Sequence, residues 1–421
     1  MSGKLHFYRK QFSGCVSCGK CCDCGWPVPV TSEEVRRISS LDFQEWSALP
    51  RSCFKRTLRG WYLRKQADKR CVFLDSDGLC IIHKKFGFSA KPLACRLYPL
   101  DVYRWRDGSI SASLRYDCPA VAGAGRMEPF GKLAGTIEAF AAELFRYRGR
   151  DADAAYSRRI HPDVARLRRI ADSYRNILMY EHIAPEIRFS AAVRLLLFHS
   201  IRKNSSDILE AEEFEADSFA FFKRSIEHLT VLVEEAEKIR HDQLVRFRYL
   251  IWCFLRDDSR ATWSAHLPMV LAALRFLIGR GTLKSTLLNR EVNAEALFHA
   301  VWKCRRKKEA PEVFFRFLQG RLVSMHFCGS PALGLPFEYG MAYLLIAWPI
   351  VIFLASVLAA ERKDFLIGPD DVRNALILVD HGFLRSRLFC RRSTKAAVWN
   401  LMKGEDYAFL MKLCLHQKVV S

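Results

Sequence analysis

CVSCGKCCDCGW, residues 15–26, decides how the first third of this chain is read. Cys15, Cys18 and Cys21 follow a C-x2-C-x2-C spacing, and Cys22 and Cys24 come directly behind. Thiolates two residues apart let a tight loop wrap one soft cation or a small cluster. Gly14, Gly19 and Gly25 permit the positive backbone angles that such a loop needs. A second block, CVFLDSDGLCIIH at residues 71–83, sets Asp77-Gly78 between two short apolar runs. That pattern predicts a hairpin presenting Cys71 beside Cys80, with His83 as either a nitrogen ligand or a hydrogen-bonding neighbour. A third block, KPLACRLYPL at residues 91–100, brings Cys95 with Arg96 next to it. A guanidinium in that place would lower a thiol's pKa or hydrogen-bond a cluster sulfur. Cys118-Pro119 is a distant Cys-Pro of the kind found in ferredoxin-type ligand sets.

Cysteine usage divides the chain. Ten of its fifteen cysteines lie at or before Cys118; the other five (Cys253, Cys304, Cys328, Cys390, Cys414) stand alone in apolar helical contexts and read as small core residues. The first fifteen residues contain no apolar run long enough for a secretory signal, so a reducing compartment, the cytoplasm, is expected. Dense thiols there point to metal or redox work, and a centre would supply the stability that so irregular a segment lacks. Zinc and an iron–sulfur cluster both suit thiolates, and spacing does not separate them. Nor does it show whether eight to ten thiols form two four-thiolate sites or one cluster with spare thiols.

Over 421 residues, half are hydrophobic, which suits a chain with a substantial core. The formal charge is +21, with local concentrations at Arg158-Arg159, Arg166 to Arg169 and Arg305 to Lys308. Such a surface attracts nucleic acid, anionic lipid or acidic protein non-specifically. Aromatic and basic residues do not interleave as in a nucleic-acid module, so no specific nucleic-acid partner is expected. The sequence contains no Walker loop, no H-E-x-x-H helix and no G-x-S-x-G elbow.

Thr31 with Glu34 forms a capping box ahead of Val35 and Ile38, predicting one helix within the cysteine-rich part. After Pro119 apolar residues recur at three and four. Helices are expected over Phe130 to Tyr147, Pro162 to Tyr180, Pro185 to Arg202, Ala211 to Leu244, Arg248 to Arg256, Leu267 to Ile278, Val292 to Lys303, Pro311 to Phe327 and Pro369 to Phe383, with few strands from Ala120 onward. Tyr339 to Ala360 carries no charge over twenty-two residues. Its length permits a membrane span, but Pro349 lies inside it, and a helix buried on all faces reads the same way. The buried helix is favoured and no membrane span is expected. The fold class is therefore mainly α: an irregular cysteine-rich metal-binding module over residues 1–122, then an all-α domain over residues 123–421.

The blocks CxxCxxCC, C-x-F-L-x-x-x-G-x-C-x-I-H, K-P-x-x-C-R-x-Y-P and a late Cys-Pro, in that order, resemble a bacterial cysteine-cluster family described as a zinc- or iron-chelating domain. The resemblance implies that Cys15, Cys18, Cys21, Cys22, Cys71, Cys80, Cys95 and Cys118 are the metal ligands, with Cys24 and Cys53 as additions. The chain is also similar, more distantly and over most of its length, to flagellin lysine N-methylases. They carry a comparable CC-x-x-W block (here Trp26 is one residue out of step), the C-x-F-L and C-R-x-Y-P blocks, a Cys-Pro and a terminal apolar helix. That similarity implies an iron–sulfur centre of the 4Fe-4S kind and methyl transfer from S-adenosylmethionine to lysines of a protein substrate. No glycine-rich loop after a strand reproduces the cofactor expectation from the residues themselves. A non-enzymatic metal-binding or redox-sensing module, whose helical domain engages a protein partner, is the alternative.

Overall fold

A computed structural model describes the chain apart from residues 1–3, 14–15, 17, 24–25, 45–48, 51, 124–127, 130–133, 148–150, 202–210, 237–238, 256–270, 272–273, 281, 286–289, 294–303, 384, 404, 416–418 and 421. It is mainly α, with a cysteine-rich module of short helices and small sheets followed by a helical body.

The capping box of Thr31 forms as expected: the Glu34 amide donates to Thr31 Oγ1 at 3.1 Å, and the Thr31 amide donates to Glu34 Oε2 at 2.8 Å. It starts the helix Ser32–Ser39. Beneath it lies a three-stranded antiparallel sheet in which Gly60–Leu63 runs between Pro29–Val30 and Phe54–Thr57. Ile38, Phe54, Leu63, Phe73 and Ile82 fill the space between, forming one hydrophobic cluster that includes Cys22 and Cys71.

A second, much larger cluster begins at Val102 and extends to Cys414. Its axis is the helix Phe337–Glu361, apolar around its whole circumference and buried on every side. A helix with no polar stripe must be enclosed, and burying each large side chain contributes about 1.5–3 kcal/mol. Pro185–Ile201, Pro369–Gly382, Arg392–Leu401 and Glu405–Leu415 pack around it. Trp348 stacks on Phe189 with ring centroids 5.7 Å apart. The strands Leu100–Arg104 and Ile110–Leu114, with Leu5–His6 parallel to the latter, join this larger cluster through Val102, Ala112 and Leu114.

The helices Ala134–Tyr147, Val164–Leu178, Pro185–Ile201, Glu312–Ser324 and Pro369–Gly382 lie where the periodicity predicts them. Three expectations differ. Ala211 to Leu244 is two helices, Ala211–Glu235 and His241–Leu255, and the second absorbs the separate helix expected from Arg248. The stretch expected to be helical from Val292 starts as a strand, because Arg290–Asn293 pairs antiparallel with Thr282–Ser285. Residues 294–303, and half of the helix expected over Leu267 to Ile278, fall outside the described residues. Strands after Ala120 are also more numerous than expected, with Arg305–Lys307 paired between Leu366–Ile367 and Val419–Val420. Segments of two to four residues are too short to show a period of two.

Candidate metal centre

Three local devices bring the cysteine blocks together. Gly19, at φ +67°, turns the chain into the short helix Lys20–Asp23, which carries Cys21 and Cys22. There the first loop lies directly on the Asp77-Gly78 turn: a Cβ at Gly19 would stand 3.2 Å from the Gly78 carbonyl carbon and closer still to its oxygen. Next, the Cys71 amide donates to the Cys22 carbonyl at 2.9 Å, joining the first two blocks backbone to backbone. Finally, the helix Ser32–Ser39 clamps the third block, since Glu34 Oε1 accepts from the Leu93 amide at 2.6 Å and Arg37 donates to the Ala90 carbonyl at 2.8 Å.

The predicted hairpin at residues 71–80 shrinks to a bridge between Leu74 and Cys80. Asp75 and Gly78 close the turn by a 3.0 Å backbone hydrogen bond, and Cys80 then starts the helix Ile81–Phe86. Cys71 and Cys80 do come together. Both lie within hydrogen-bonding reach of Cys22, as does Cys21. Three thiols thus converge on Cys22, making a group of four.

The electrostatics follow from that crowding. One S–H donates where several sulfurs compete for it. Hydrogen bonding to Cys21, Cys71 and Cys80 holds the Cys22 thiol protonated, far above its ordinary range. Cys21, Cys71 and Cys80 are drawn the other way, toward thiolate, chiefly by the hydrogen bond from Cys22. The Lys91 ammonium adds to the effect at Cys21 and Cys80. Among the described residues no three His, Cys, Asp or Glu side chains already stand as a closed ligand set. The thiols are gathered on one another in a donor set that suits a soft cation.

Around this knot lie two cavities, of about 250 Å³ and about 190 Å³, both walled by Cys21, Cys22, Cys80, Cys95 and Lys91. Cys71 borders only the smaller, whereas Cys18, Cys118 and His83 border only the larger. Cys95 sits on the short helix Leu93–Leu97, and burial pushes its thiol up. Burial likewise raises Cys118 to about 11. Cys53, expected as an addition, is a half-buried neighbour of Cys71, raised by burial. Cys15 and Cys24 lie outside the described residues.

Arg96 does not serve the thiols as its position suggested. It pairs with Glu143 on the helix Ala134–Tyr147 and donates to the Lys91 carbonyl at 3.3 Å. The cation at the knot is Lys91, whose side chain is buried, with its ammonium 5.5 Å from the Phe88 ring centroid. Sequence reasoning missed it. The only signal was its place in the K-P-x-x-C block. Arg115 was also missed: its guanidinium lies 3.7 Å over the Trp26 ring and pairs with Asp117 at 2.6 Å, beside Cys118. His381, from the helix Pro369–Gly382, meets Trp26 edge-on at 5.2 Å. The metal module and the helical body therefore share this aromatic and ionic contact.

Residues 14–116 match a family model described as "Putative zinc- or iron-chelating domain", of the CxxCxxCC type. The match spans the first three cysteine blocks. A stretch of 109 residues is 28% identical to an uncharacterized protein of Methanocaldococcus jannaschii, covering 25% of this chain. The chain spans about a third, 36%, of that archaeal relative's length. No solved structure matches the chain. These findings concern the cysteine module, which is similar to a zinc- or iron-chelating domain; the likeness to flagellin lysine N-methylases rests on the sequence blocks alone.

Proposed function

We propose that the chain holds a thiolate-ligated zinc or iron centre through Cys21, Cys22, Cys71 and Cys80, with Cys18, Cys95 and Cys118 bordering it. The convergence of thiols from the first two cysteine blocks on Cys22 carries this reading. The third block adds Cys95 and the buried Lys91 to the walls. When bound, the metal would lock together two loops that already meet through the Cys71–Cys22 backbone hydrogen bond and their facing thiols, and its binding energy would become folding energy of the module. Lys91 would offset part of the negative charge that four thiolates place around a divalent ion.

Elemental analysis and visible absorption of the anaerobically purified full chain test the proposal. A colourless protein with stoichiometric zinc indicates a single-ion site; a brown one with broad visible absorption indicates an iron–sulfur centre. Cys22→Ser and Cys71→Ser are expected to lose the metal. A fully folded, metal-free protein that takes up neither metal would overturn the reading.

The enzymatic extension, methyl transfer from S-adenosylmethionine to protein lysines, takes its support from the resemblance to flagellin lysine N-methylases. Metal-replete protein incubated with labelled S-adenosylmethionine and cell lysate should then label a protein band. If none is labelled, the non-enzymatic reading stands, with the helical body as the surface for a protein partner.

A further inference from the structure

The helical body carries a further cavity, of about 640 Å³, lined by none of the cysteines. One wall is a stripe of the helix Arg392–Leu401, formed by Arg392, Lys395, Ala396, Trp399 and Asn400. These positions, spaced three and four apart, make one helical face. Ser157 to Arg159 and the start of the helix Phe337–Glu361, with Glu338 and Tyr339, complete the lining. Four cations line the cavity against one carboxylate, that of Glu338. Arg158, Arg159 and Arg392 are exposed, and Lys395 is half-buried. Among the described residues none of the four forms an ion pair. Elsewhere in the chain, arginines commonly find a partner, as Arg306 does in Glu186 and Arg321 in Asp380.

Charge is half of the observation. The ring of Tyr339 lies 5.6 Å from that of Trp399, and the Lys395 ammonium sits 5.2 Å over Tyr339. A half-buried indole thus opens onto a space ringed by guanidinium groups. Volumes of roughly 300–1,000 Å³ are those of small-molecule sites. Arginine forks match phosphate oxygens two at a time, and an aromatic face takes a planar ring.

We propose that this cavity is a site for a nucleoside phosphate. Arg158, Arg159 and Arg392 hold the phosphate oxygens, and the base lies against Trp399 with the Asn400 amide at its edge. The uncapped N-terminus of the Arg392–Leu401 helix adds positive potential on the phosphate side. The site is independent of the metal centre, so either proposal stands if the other fails.

Isothermal titration of the full chain with ADP, inorganic pyrophosphate and adenosine tests it. ADP should bind with an affinity that falls as salt rises, pyrophosphate should compete more weakly, and adenosine should bind weakest. Arg158→Ala and Arg392→Ala, both at exposed positions, should each weaken ADP at least about tenfold while the far-ultraviolet circular dichroism stays unchanged. Trp399→Phe should weaken ADP and leave pyrophosphate unaffected. Absence of ADP binding, or ADP binding unchanged in the arginine variants, overturns the proposal. Pyrophosphate binding as tightly as ADP overturns its nucleoside half.

Discussion

Replacing Gly19 by alanine isolates the contact that seats the first cysteine loop on the second. Two costs arise. At φ +67° an alanine is left-handed, which costs roughly 1–2 kcal/mol. Its methyl group would also fall well under 3.0 Å from the Gly78 carbonyl oxygen. That obstacle is backbone and cannot rotate away, so overpacking adds about 1–3 kcal/mol. Gly78→Ala is the internal control: Gly78 has φ +79° and faces open space, so only the first cost applies. The expected destabilisation is roughly 2–5 kcal/mol for Gly19→Ala and roughly 1–2 kcal/mol for Gly78→Ala. The excess, about 2 kcal/mol, falls on the loop that presents Cys18, Cys21 and Cys22, so metal affinity should drop about 30-fold relative to the control. Urea denaturation of the metal-bound chain reads the first quantity, and competition with a chromophoric chelator reads the second. Equal destabilisation and equal affinity in the two variants would refute the reasoning.

Glu34→Ala leaves the Leu93 amide without its carboxylate and breaks the capping box as well, so a loss of about 1–3 kcal/mol is expected in the same urea assay; an unchanged midpoint would show that water replaces the carboxylate. Asp380→Asn removes the charge that meets Arg321 at 2.6 Å and accepts from the Tyr116 amide at 2.6 Å, both buried. Breaking such a pair costs about 3–5 kcal/mol, which calorimetry would show as a lowered Tm. Burial and the Arg321 charge hold His326 down to about 3, and its Nε2 is 2.9 Å from Ser111 Oγ. Because the unfolded chain takes up this proton first, stability is full above about pH 6.5 and is lost as pH falls from there toward the folded value. Between pH 6.5 and pH 4 the loss is on the order of 3 kcal/mol, and His326→Gln should flatten urea midpoints measured across that range.

What the sequence made legible was local. The Thr31 capping box needs only four residues, and the unbroken apolar run from Tyr339 marks a helix apolar on all faces, although the run alone fits a buried helix and a membrane span alike. The cysteine blocks were also readable, because thiols at such density have few other uses. Partners across the chain were not. Nothing beside Arg96 in sequence indicates Glu143, and that distant carboxylate takes the guanidinium away from the sulfur next to it. Lys91 reads as one more surface lysine until the Phe88 ring and the fold around Cys95 enclose it. The break after Glu235 and the strand at Arg290 likewise depend on contacts that local periodicity does not register.

The hydrogen bond between the Tyr116 amide and Asp380 spans 264 positions of chain. During synthesis at roughly 5–20 residues per second, Asp380 emerges about 15–50 s after Tyr116. Throughout that interval the ten cysteines up to Cys118 have left the ribosome while the segment leading into Cys118 lacks its permanent anchor. Cys21, Cys22, Cys71 and Cys80 are held by contacts within residues 19–93, so the proposed centre would be able to take up its ion before the helical body is complete, and only the stretch leading into Cys118 waits for Asp380.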